Sequence, residues 1–298
     1  MKNYLNNETG GNMSKVDISI VVPIYNAEKY IKKYKDERIK YFKNKNQGNG
    51  KTRNFGIDKA KGKYIMFIDS DDYIEKDACE KLFEKAENSK LDIVICNFYK
   101  VYDNGEHEDI ILPSFKNTTL KETPSLIRTI NLSPWNKLYR TSLIKNNNMR
   151  FVENLKYEDA PFVSEALDKA KKIGKVDESL NYYVIHGNSE TTVRDRRIFD
   201  ILKIVDLVRK QFKGKNYIKE DLNKLTVRII TNYTIQQRMQ NNKKVGMEFI
   251  DKAFAYMKKE VPDFKKNKYY EERTVIKRTI EKSKLLSKIY CLLYRKKA

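Results

Sequence analysis

The chain has 298 residues, of which 40% are hydrophobic and 11% are aromatic. This composition is typical of a globular protein that buries a sizeable core, although 34% of the residues are charged. The longest apolar runs, such as residues 18–22, are far shorter than the roughly 20 residues of a membrane-spanning helix. We therefore expect neither a membrane span nor a signal peptide.

The net charge of +21 is concentrated in the C-terminal part of the chain. Residues 194–298 hold 29 basic and 12 acidic residues, which leaves +4 for the first 193 residues. The basic residues alternate with acidic ones and no nucleic-acid-binding motif accompanies them, so we expect no nucleic-acid partner. A coding bias toward lysine is the simpler explanation of the charge.

The three cysteines, Cys79, Cys96 and Cys291, are far apart and include no C-x-x-C pair. An odd number of scattered cysteines supports neither a disulfide framework nor a zinc site. We expect a reducing, cytoplasmic location.

Predicted strands and helices alternate through the first half of the chain. Strand patterns cover residues 17–22, 38–42, 64–68 and 92–102, with a further strand near 175–183. Helical patterns cover residues 52–60, 77–88 and 160–170. This alternation predicts an α/β fold with a mostly parallel sheet. Beyond Arg194 the apolar residues recur at helical spacing, which predicts a helical C-terminal region.

Three carboxylates follow the most strongly apolar of the predicted strands. Residues 64–68 are apolar throughout, which fits a strand buried on both faces, and Asp69, Asp71 and Asp72 come directly after it. Ligands of parallel sheets bind beyond the carboxyl ends of the strands, and clustered carboxylates repel one another unless a cation joins them. We therefore predict a Mn²⁺ or Mg²⁺ site at Asp69 and Asp71. The alternative is an acidic turn in which Asp72 caps the next helix.

The sequence GNGKT at residues 48–52 is not a nucleotide-binding P-loop. The pattern G-x-x-x-x-G-K-[ST] requires a glycine five residues before Gly50, and the chain has Lys45 there.

Three motifs occur in an order that resembles a known family. They are SIVVPIYN at 19–26, NQGNGKTRNFGIDKAKGKYIMFIDSDD at 46–72, and WNKLYR at 135–140 followed by YED at 157–159. In this respect the chain resembles the family 2 glycosyltransferases of the bacterial polysaccharide type. The resemblance implies a Rossmann-like GT-A domain at 16–190, between a disordered tail at 1–15 and a basic helical region at 191–298.

The resemblance also implies an activity. Members of the family transfer a sugar from a nucleotide-diphosphate donor, here expected to be a UDP-sugar, to a glycan or lipid-linked acceptor. The implied reaction is metal-dependent and inverting. Asp159, with Glu158 beside it, would take the proton from the acceptor hydroxyl. An acidic pair that caps a helix is the alternative for these two residues.

The resemblance assigns the remaining site residues by position. The donor contacts are Pro23, Tyr25, Asn46, Gly48, Arg53, Asp69 and Asp71. Trp135 and Asp72 are placed near the acceptor, although a lone tryptophan lies more often in a core. His186 could complete the metal site, and the alternative is an exposed loop histidine.

The chain departs from the family pattern between Asn26 and Arg38. A βαβ unit takes about 30 residues or more, so the family's second strand and its acidic turn do not fit there. This deletion predicts an open donor pocket that binds nucleotides weakly and discriminates poorly between bases. It also leaves open a truncated, catalytically weak or inactive relative that acts at most as a binding partner.

The last helical pattern has two interpretations. Its apolar residues are Ile280, Leu285, Leu286, Ile289, Leu292 and Leu293, and lysines lie among them. Such a helix could lie on an anionic membrane surface, which would place the protein at the inner face of the membrane. Alternatively, it packs its apolar stripe on the catalytic domain.

Overall fold

The computed structural model describes residues 16–26, 33–43, 47–185, 195–240 and 242–293. The described strands are β1 (Ile18–Val21), β2 (Tyr64–Phe67), β3 (Tyr73–Ile74), β4 (Ile93–Tyr102), β5 (His107–Ile110), β6 (Lys137–Arg140) and β7 (Ile173–Ile185). The helices of the first part are α1 (Gly48–Lys59), α2 (Ala78–Ser89), α3 (Leu126–Thr129), α4 (Thr141–Asn146) and α5 (Asp159–Lys169). Those of the C-terminal part are α6 (Asp200–Gln211), α7 (Lys219–Gln236), α8 (Lys243–Glu260), α9 (Val275–Lys282) and α10 (Lys284–Leu293).

The strands form one sheet in the order β1-β2-β6-β4-β7-β3, and β5 pairs with the second half of β4. The α/β fold and the helical C-terminal region are confirmed. The sheet is mixed, however, rather than mostly parallel: β1–β2 and β4–β7 are parallel, and the other described pairings are antiparallel. Antiparallel β6 separates β2 from β4, although β1, β2, β4 and β7 still point in the same direction.

Strand β2 is buried on both faces, as its sequence predicts. Tyr64 and Met66 pack with α2 on one side of the sheet, whereas Ile65 and Phe67 join the larger core on the other side. This larger core also includes side chains of α1, α5 and the first two C-terminal helices. Because β2 is held on both faces, the position of Asp69, which follows the strand, is fixed relative to the sheet.

The strand predicted at 38–42 is wrong. Described residues 33–43 form no strand, and the ring of Phe42 instead meets Phe55 of α1 at 5.7 Å between centroids. Because no further strand pairs with β1, this strand is the edge of the described sheet. Ile20 of β1, and Val22 and Ile24 just after it, are partly exposed. Apolar, β-prone residues are insufficient to form a strand when no neighbouring strand pairs with them.

The C-terminal helices pack on the sheet domain and on one another. Val208 and Leu222 join the core of the sheet domain, and a second core forms between α6, α7 and α8. None of the described helices has both the length and the apolar character needed to cross a membrane. The predicted tail at 1–15 and the predicted domain boundary near residue 190 lie outside the described residues.

Candidate active site

The carboxyl ends of β1 and β2 leave the sheet at the same edge. Parallel pairing continues one residue beyond the strands, where the Ile68 amide donates to the Val21 carbonyl at 3.1 Å. The chain then turns, with the Asp72 amide donating to the Asp69 carbonyl at 3.1 Å. The Asp69–Asp72 turn and the segment that begins at Pro23 are therefore neighbours.

Arg53 brings together three carboxylates that the sequence analysis selected separately. Its Nη2 donates to Oδ1 of Asp69 at 2.6 Å, and its Nη1 donates to Oε1 of Glu158 and Oδ1 of Asp159, both at 2.8 Å. The Arg53 side chain is only 2% exposed. We call Arg53, Asp69, Glu158 and Asp159 the arginine network.

Helix α1 is held in place by an unusually close backbone approach. Its buried face consists of Gly50, Arg53, Asn54 and Ile57, which recur at helical spacing. Asn54 clamps the chain at Phe151, because its Nδ2 donates to the carbonyl at 3.0 Å and its Oδ1 accepts from the amide at 2.8 Å. A Cβ atom at Gly50 would lie 2.4 Å from the Val152 carbonyl oxygen. These contacts fix α1 against the segment that leads to Glu158 and Asp159.

The arginine network carries more negative than positive charge. Burial, reinforced by Glu158 and Asp69 and opposed by Arg53, raises the pKa of the Asp159 carboxyl to about 7. For Arg53, burial alone would lower the pKa, but the three carboxylates outweigh it and raise the pKa, so the guanidinium stays cationic. Asp159 therefore exchanges a proton near neutral pH, and its side chain is partly exposed to receive one.

Glu158 and Asp159 do not act as helix caps. Glu158 occupies the N-cap position of α5 and makes no capping side-chain hydrogen bond, because its carboxylate faces Arg53 instead. Side-chain capping by Glu158 is therefore excluded, whereas Asp159 lies in the first turn of α5, where the helix dipole favours a negative charge.

Asp72 anchors the acidic turn to the sheet. Its Oδ1 accepts a hydrogen bond from the Val184 amide of β7 at 2.9 Å, whereas its buried Oδ2 has no partner among the described residues. Burial, together with Asp69 and Asp71, raises the Asp72 pKa to about 7. The expectation that Asp72 caps the next helix is wrong, because α2 begins at Ala78 with Asp77 before it. Asp71 lies on the exposed side of the turn.

Trp135 lies in the core and not at an acceptor surface. Its ring is 4% exposed. It stacks on Tyr183 at 5.3 Å and meets the edge of Phe98 at 4.8 Å. The prediction that Trp135 contacts the acceptor is therefore wrong in this structure, because aromatic neighbours occupy the surface that a sugar would need.

Two buried polar side chains near Asp159 were missed by the sequence analysis. Lys137 donates through Nζ to the carbonyls of Asn131 and Ser133 at 2.6 and 2.7 Å, and burial lowers its pKa to about 7. The hydroxyl of Tyr139 has no partner among the described residues, and burial, reinforced by the charge of Asp159, raises its pKa. Both residues belong to the WNKLYR motif. A polar side chain within an otherwise apolar strand is the sequence pattern that could have identified them.

Part of the chain matches a known protein family. Residues 27–147 match the model of the family described as "Glycosyl transferase family 2". The chain contains a domain of glycosyltransferase family 2. The match includes Arg53, Asp69 and the WNKLYR strand, whereas Glu158 and Asp159 follow it along the chain.

Two curated glycosyltransferases share sequence with this chain. The uncharacterized glycosyltransferase EpsJ of Bacillus subtilis is 31% identical over 216 residues, which cover 66% of this chain and 60% of EpsJ. The cholesterol galactosyltransferase of Borreliella burgdorferi is 32% identical over 170 residues, or 53% of this chain and 46% of that protein. The chain therefore spans 60% or less of the length of these relatives.

The structure of the chain resembles crystal structures of S. aureus TarS 1-349. The structure with UDP-GlcNAc superimposes with a TM-score of 0.71 at 18% identity and covers 93% of this chain and 91% of TarS 1-349. The structure with UDP gives a TM-score of 0.67 at 19% identity, over 93% and 90% of the two chains. This likeness confirms the GT-A-type fold.

The carboxylates of the family 2 domain suit a cation that is shared with a ligand. Among the described residues, no group of three or more His, Cys, Asp and Glu side chains is placed to hold a metal. Asp69 and Asp71 offer the hard oxygen atoms that Mg²⁺ and Mn²⁺ prefer, and one Asp69 oxygen already meets Arg53. Mg²⁺ usually completes its coordination with water and substrate phosphates. The residues present therefore fit a cation that arrives with a diphosphate.

The remaining predicted site residues have mixed placements. Tyr25 is exposed at the end of β1, whereas Pro23 is buried. Gly48 is exposed at the first position of α1 with a φ of 83°, a conformation that favours glycine. Asn46 and His186 lie outside the described residues, so their roles stay predictions.

Proposed function

We propose that this chain is a metal-dependent, inverting glycosyltransferase that moves a sugar from a nucleotide-diphosphate donor to a glycan or lipid-linked acceptor. The arginine network carries the proposal, because it joins the carboxylate that follows β2 to the acidic pair that begins α5. The expected donor is a UDP-sugar, which is supported by the TarS structures that contain UDP-GlcNAc and UDP.

In the proposed reaction, the acceptor oxygen attacks the anomeric carbon of the sugar. The bond between that carbon and the donor phosphate oxygen breaks, and Asp159 takes the proton that the acceptor hydroxyl releases. A single displacement of this kind inverts the anomeric centre. A base with a pKa near 7 suits this step, because about half of it is deprotonated at neutral pH and it is more basic than an ordinary carboxylate.

Arg53 and Asp72 would position the reacting groups. Arg53 fixes the Asp159 carboxylate relative to Asp69, and Asp72 holds the acidic turn on β7. The cation, bound at Asp69 and Asp71, would neutralise charge on the departing nucleoside diphosphate. Because a rigid sheet holds these side chains in place, little conformational entropy is lost when the substrate binds to them.

The shortened segment after β1 supports an open donor pocket. We infer that the family's second strand is missing, because β1 is the edge of the described sheet and leaves Ile20 and Val22 partly exposed. Loss of polar base contacts would reduce discrimination between UDP, GDP and CDP. The same observation favours the second candidate, a weak or inactive relative that retains the fold.

Calorimetry and a transfer assay with Asp159→Asn distinguish these candidates. The active enzyme should bind UDP more tightly with Mn²⁺ than without it, and Asp159→Asn should lower transfer by about 10² to 10⁴ while Mn²⁺-dependent UDP binding persists. Asp58→Asn is the control, because this exposed carboxylate pairs with Arg150 away from the network. Transfer by Asp159→Asn at the parent rate would contradict the proposed base, and no UDP binding by the parent would favour the inactive relative.

A further inference from the structure

The last two described helices turn their apolar side chains away from the protein. On α10, Leu285 is 66% exposed and Leu293 is 75% exposed. The other large apolar residues of this surface are also exposed, and the full set, which we call the outer stripe, is Leu285, Leu286, Ile289, Leu292 and Leu293. At about 100° per residue, the outer stripe covers an arc of about 120°.

Small side chains occupy the opposite face of α10. Ser287 and Cys291 are buried, and a Cβ atom on Gly246 of α8 would lie 3.5 Å from the Cys291 sulfur. Polar contacts complete the docking, since the Lys243 ammonium donates to the Cys291 carbonyl at 3.0 Å and Lys288 meets Asp251 at 2.7 Å. The helix is therefore anchored through its small and polar face.

Helix α9 repeats this inverted arrangement. Val275 and Ile276 are 66% and 75% exposed. The buried position is taken by Glu281, which is 2% exposed and accepts from Arg273 at 2.7 Å. A surface helix normally buries its apolar stripe and exposes its charges. The alternative in which the last apolar stripe packs on the catalytic domain is therefore wrong for α10.

The charges around the two helices are strongly positive. Residues 275–293 contain Lys277, Arg278, Lys282, Lys284 and Lys288 against a single acid, Glu281, and Glu281 is neutralised by Arg273. Lys284 and Lys288 both pair with Asp251 on α8, which offsets part of this positive charge. The sequence continues with Arg295, Lys296 and Lys297. A partner must therefore offer an apolar layer bordered by negative charge.

We propose that α9 and α10 form a docking surface for an anionic membrane. The outer stripe would enter the boundary between headgroups and acyl chains, and the basic residues would meet the lipid phosphates. A contiguous exposed apolar surface of this kind marks an interaction site, whereas single exposed apolar residues are ordinary. The proposal concerns binding alone and does not depend on the proposed transferase activity.

Vesicle sedimentation of the full chain tests the proposal. At about 0.1 M salt the protein should sediment with phosphatidylglycerol-containing vesicles at least roughly tenfold more than with neutral phosphatidylcholine vesicles, and salt near 1 M should weaken the binding. Leu285→Gln/Leu292→Gln should lower the partition coefficient at least about tenfold without any change of charge. Ile39→Gln/Ile111→Gln is the matched control, because it replaces two exposed isoleucines elsewhere and should bind like the parent.

Three results would overturn the proposal. Absence of sedimentation with anionic vesicles at low salt would exclude the membrane as partner. A loss of binding by Leu285→Gln/Leu292→Gln that does not exceed the loss by the control variant would show that the outer stripe does not contribute to vesicle binding. A concentration-dependent rise in mass by analytical ultracentrifugation, abolished by Leu285→Gln/Leu292→Gln, would instead identify a second copy of the chain as the occupant.

Discussion

Replacement of Arg53 by methionine should destabilise the protein by about 3–5 kcal/mol at pH 8. Each of its three carboxylate contacts contributes an attraction of about 4 kcal/mol, if the charges are about 4 Å apart in an effective dielectric of about 20. Repulsion among the carboxylates and the desolvation of the guanidinium cancel much of this attraction. Removal of one partner from a buried ion pair leaves the other charges uncompensated, which sets the expected loss.

The loss should depend on pH. Arg53 lowers the pKa of the Asp159 carboxyl, so without Arg53 the folded-state pKa of Asp159 should rise further above its unfolded value near 4. Carboxyl groups with raised folded pKa values destabilise the fold most at high pH, and this penalty disappears as the pH falls toward the unfolded values. The difference in unfolding free energy between parent and Arg53→Met should therefore shrink as the pH falls from about 8 to below about 7.

Urea unfolding in the presence of EDTA measures this difference. Trp135 is the single tryptophan and is 4% exposed, so its fluorescence reports unfolding of the core. Arg150→Met is the control, because Arg150 forms an exposed pair with Asp58 at 2.7 Å and should cost no more than about 1 kcal/mol. An equal and pH-independent loss in both variants would refute the argument that the arginine network stabilises the site.

Two further predictions follow from the geometry of the site. Because burial raises the Asp159 pKa to about 7, kcat/KM for sugar transfer should rise with pH through about 7 and then level off; a flat profile between about pH 5.5 and 8.5 would contradict the role of Asp159 as base. Gly50→Ala should destabilise by about 1–3 kcal/mol in urea unfolding, because its Cβ would lie 2.4 Å from the Val152 carbonyl oxygen. Gly246→Ala has its nearest neighbours at 3.4 Å and should be close to neutral, so equal effects of the two substitutions would contradict the close approach of α1.

The sequence predicts the elements that are strongly apolar and centrally placed. Strand β2 is confirmed, because a short apolar run with no polar residue suits only a position covered on both faces. The strand expected at 38–42 failed because Ile39, Tyr41 and Phe42 have strand-forming side chains but no partner in the described sheet. Pairing is a tertiary property that local composition does not contain.

The candidate site was predicted in parts and not as a whole. The sequence analysis selected Arg53, Asp69 and the acidic pair, but their meeting depends on α1, whose buried face includes Arg53 and Asn54. A prediction from hydrophobic periodicity assigns polar residues such as Arg53 and Asn54 to the exposed face of a helix, so it cannot indicate which residues they contact. The same limit applies to α10, where the small residues Ser287 and Cys291, rather than the leucines, fit against α8.

The shared use of one arginine by three carboxylates constrains how this sequence can diverge. A change at Arg53 alters the environment of every carboxylate, and the loss of one carboxylate changes the charge balance for the other two. The effect of each substitution therefore depends on which of the others has already occurred. Arg53 and Asp159 are 106 residues apart in the sequence. Even so, we expect substitutions at these two positions, and at Asp69 and Glu158, to be correlated among related sequences.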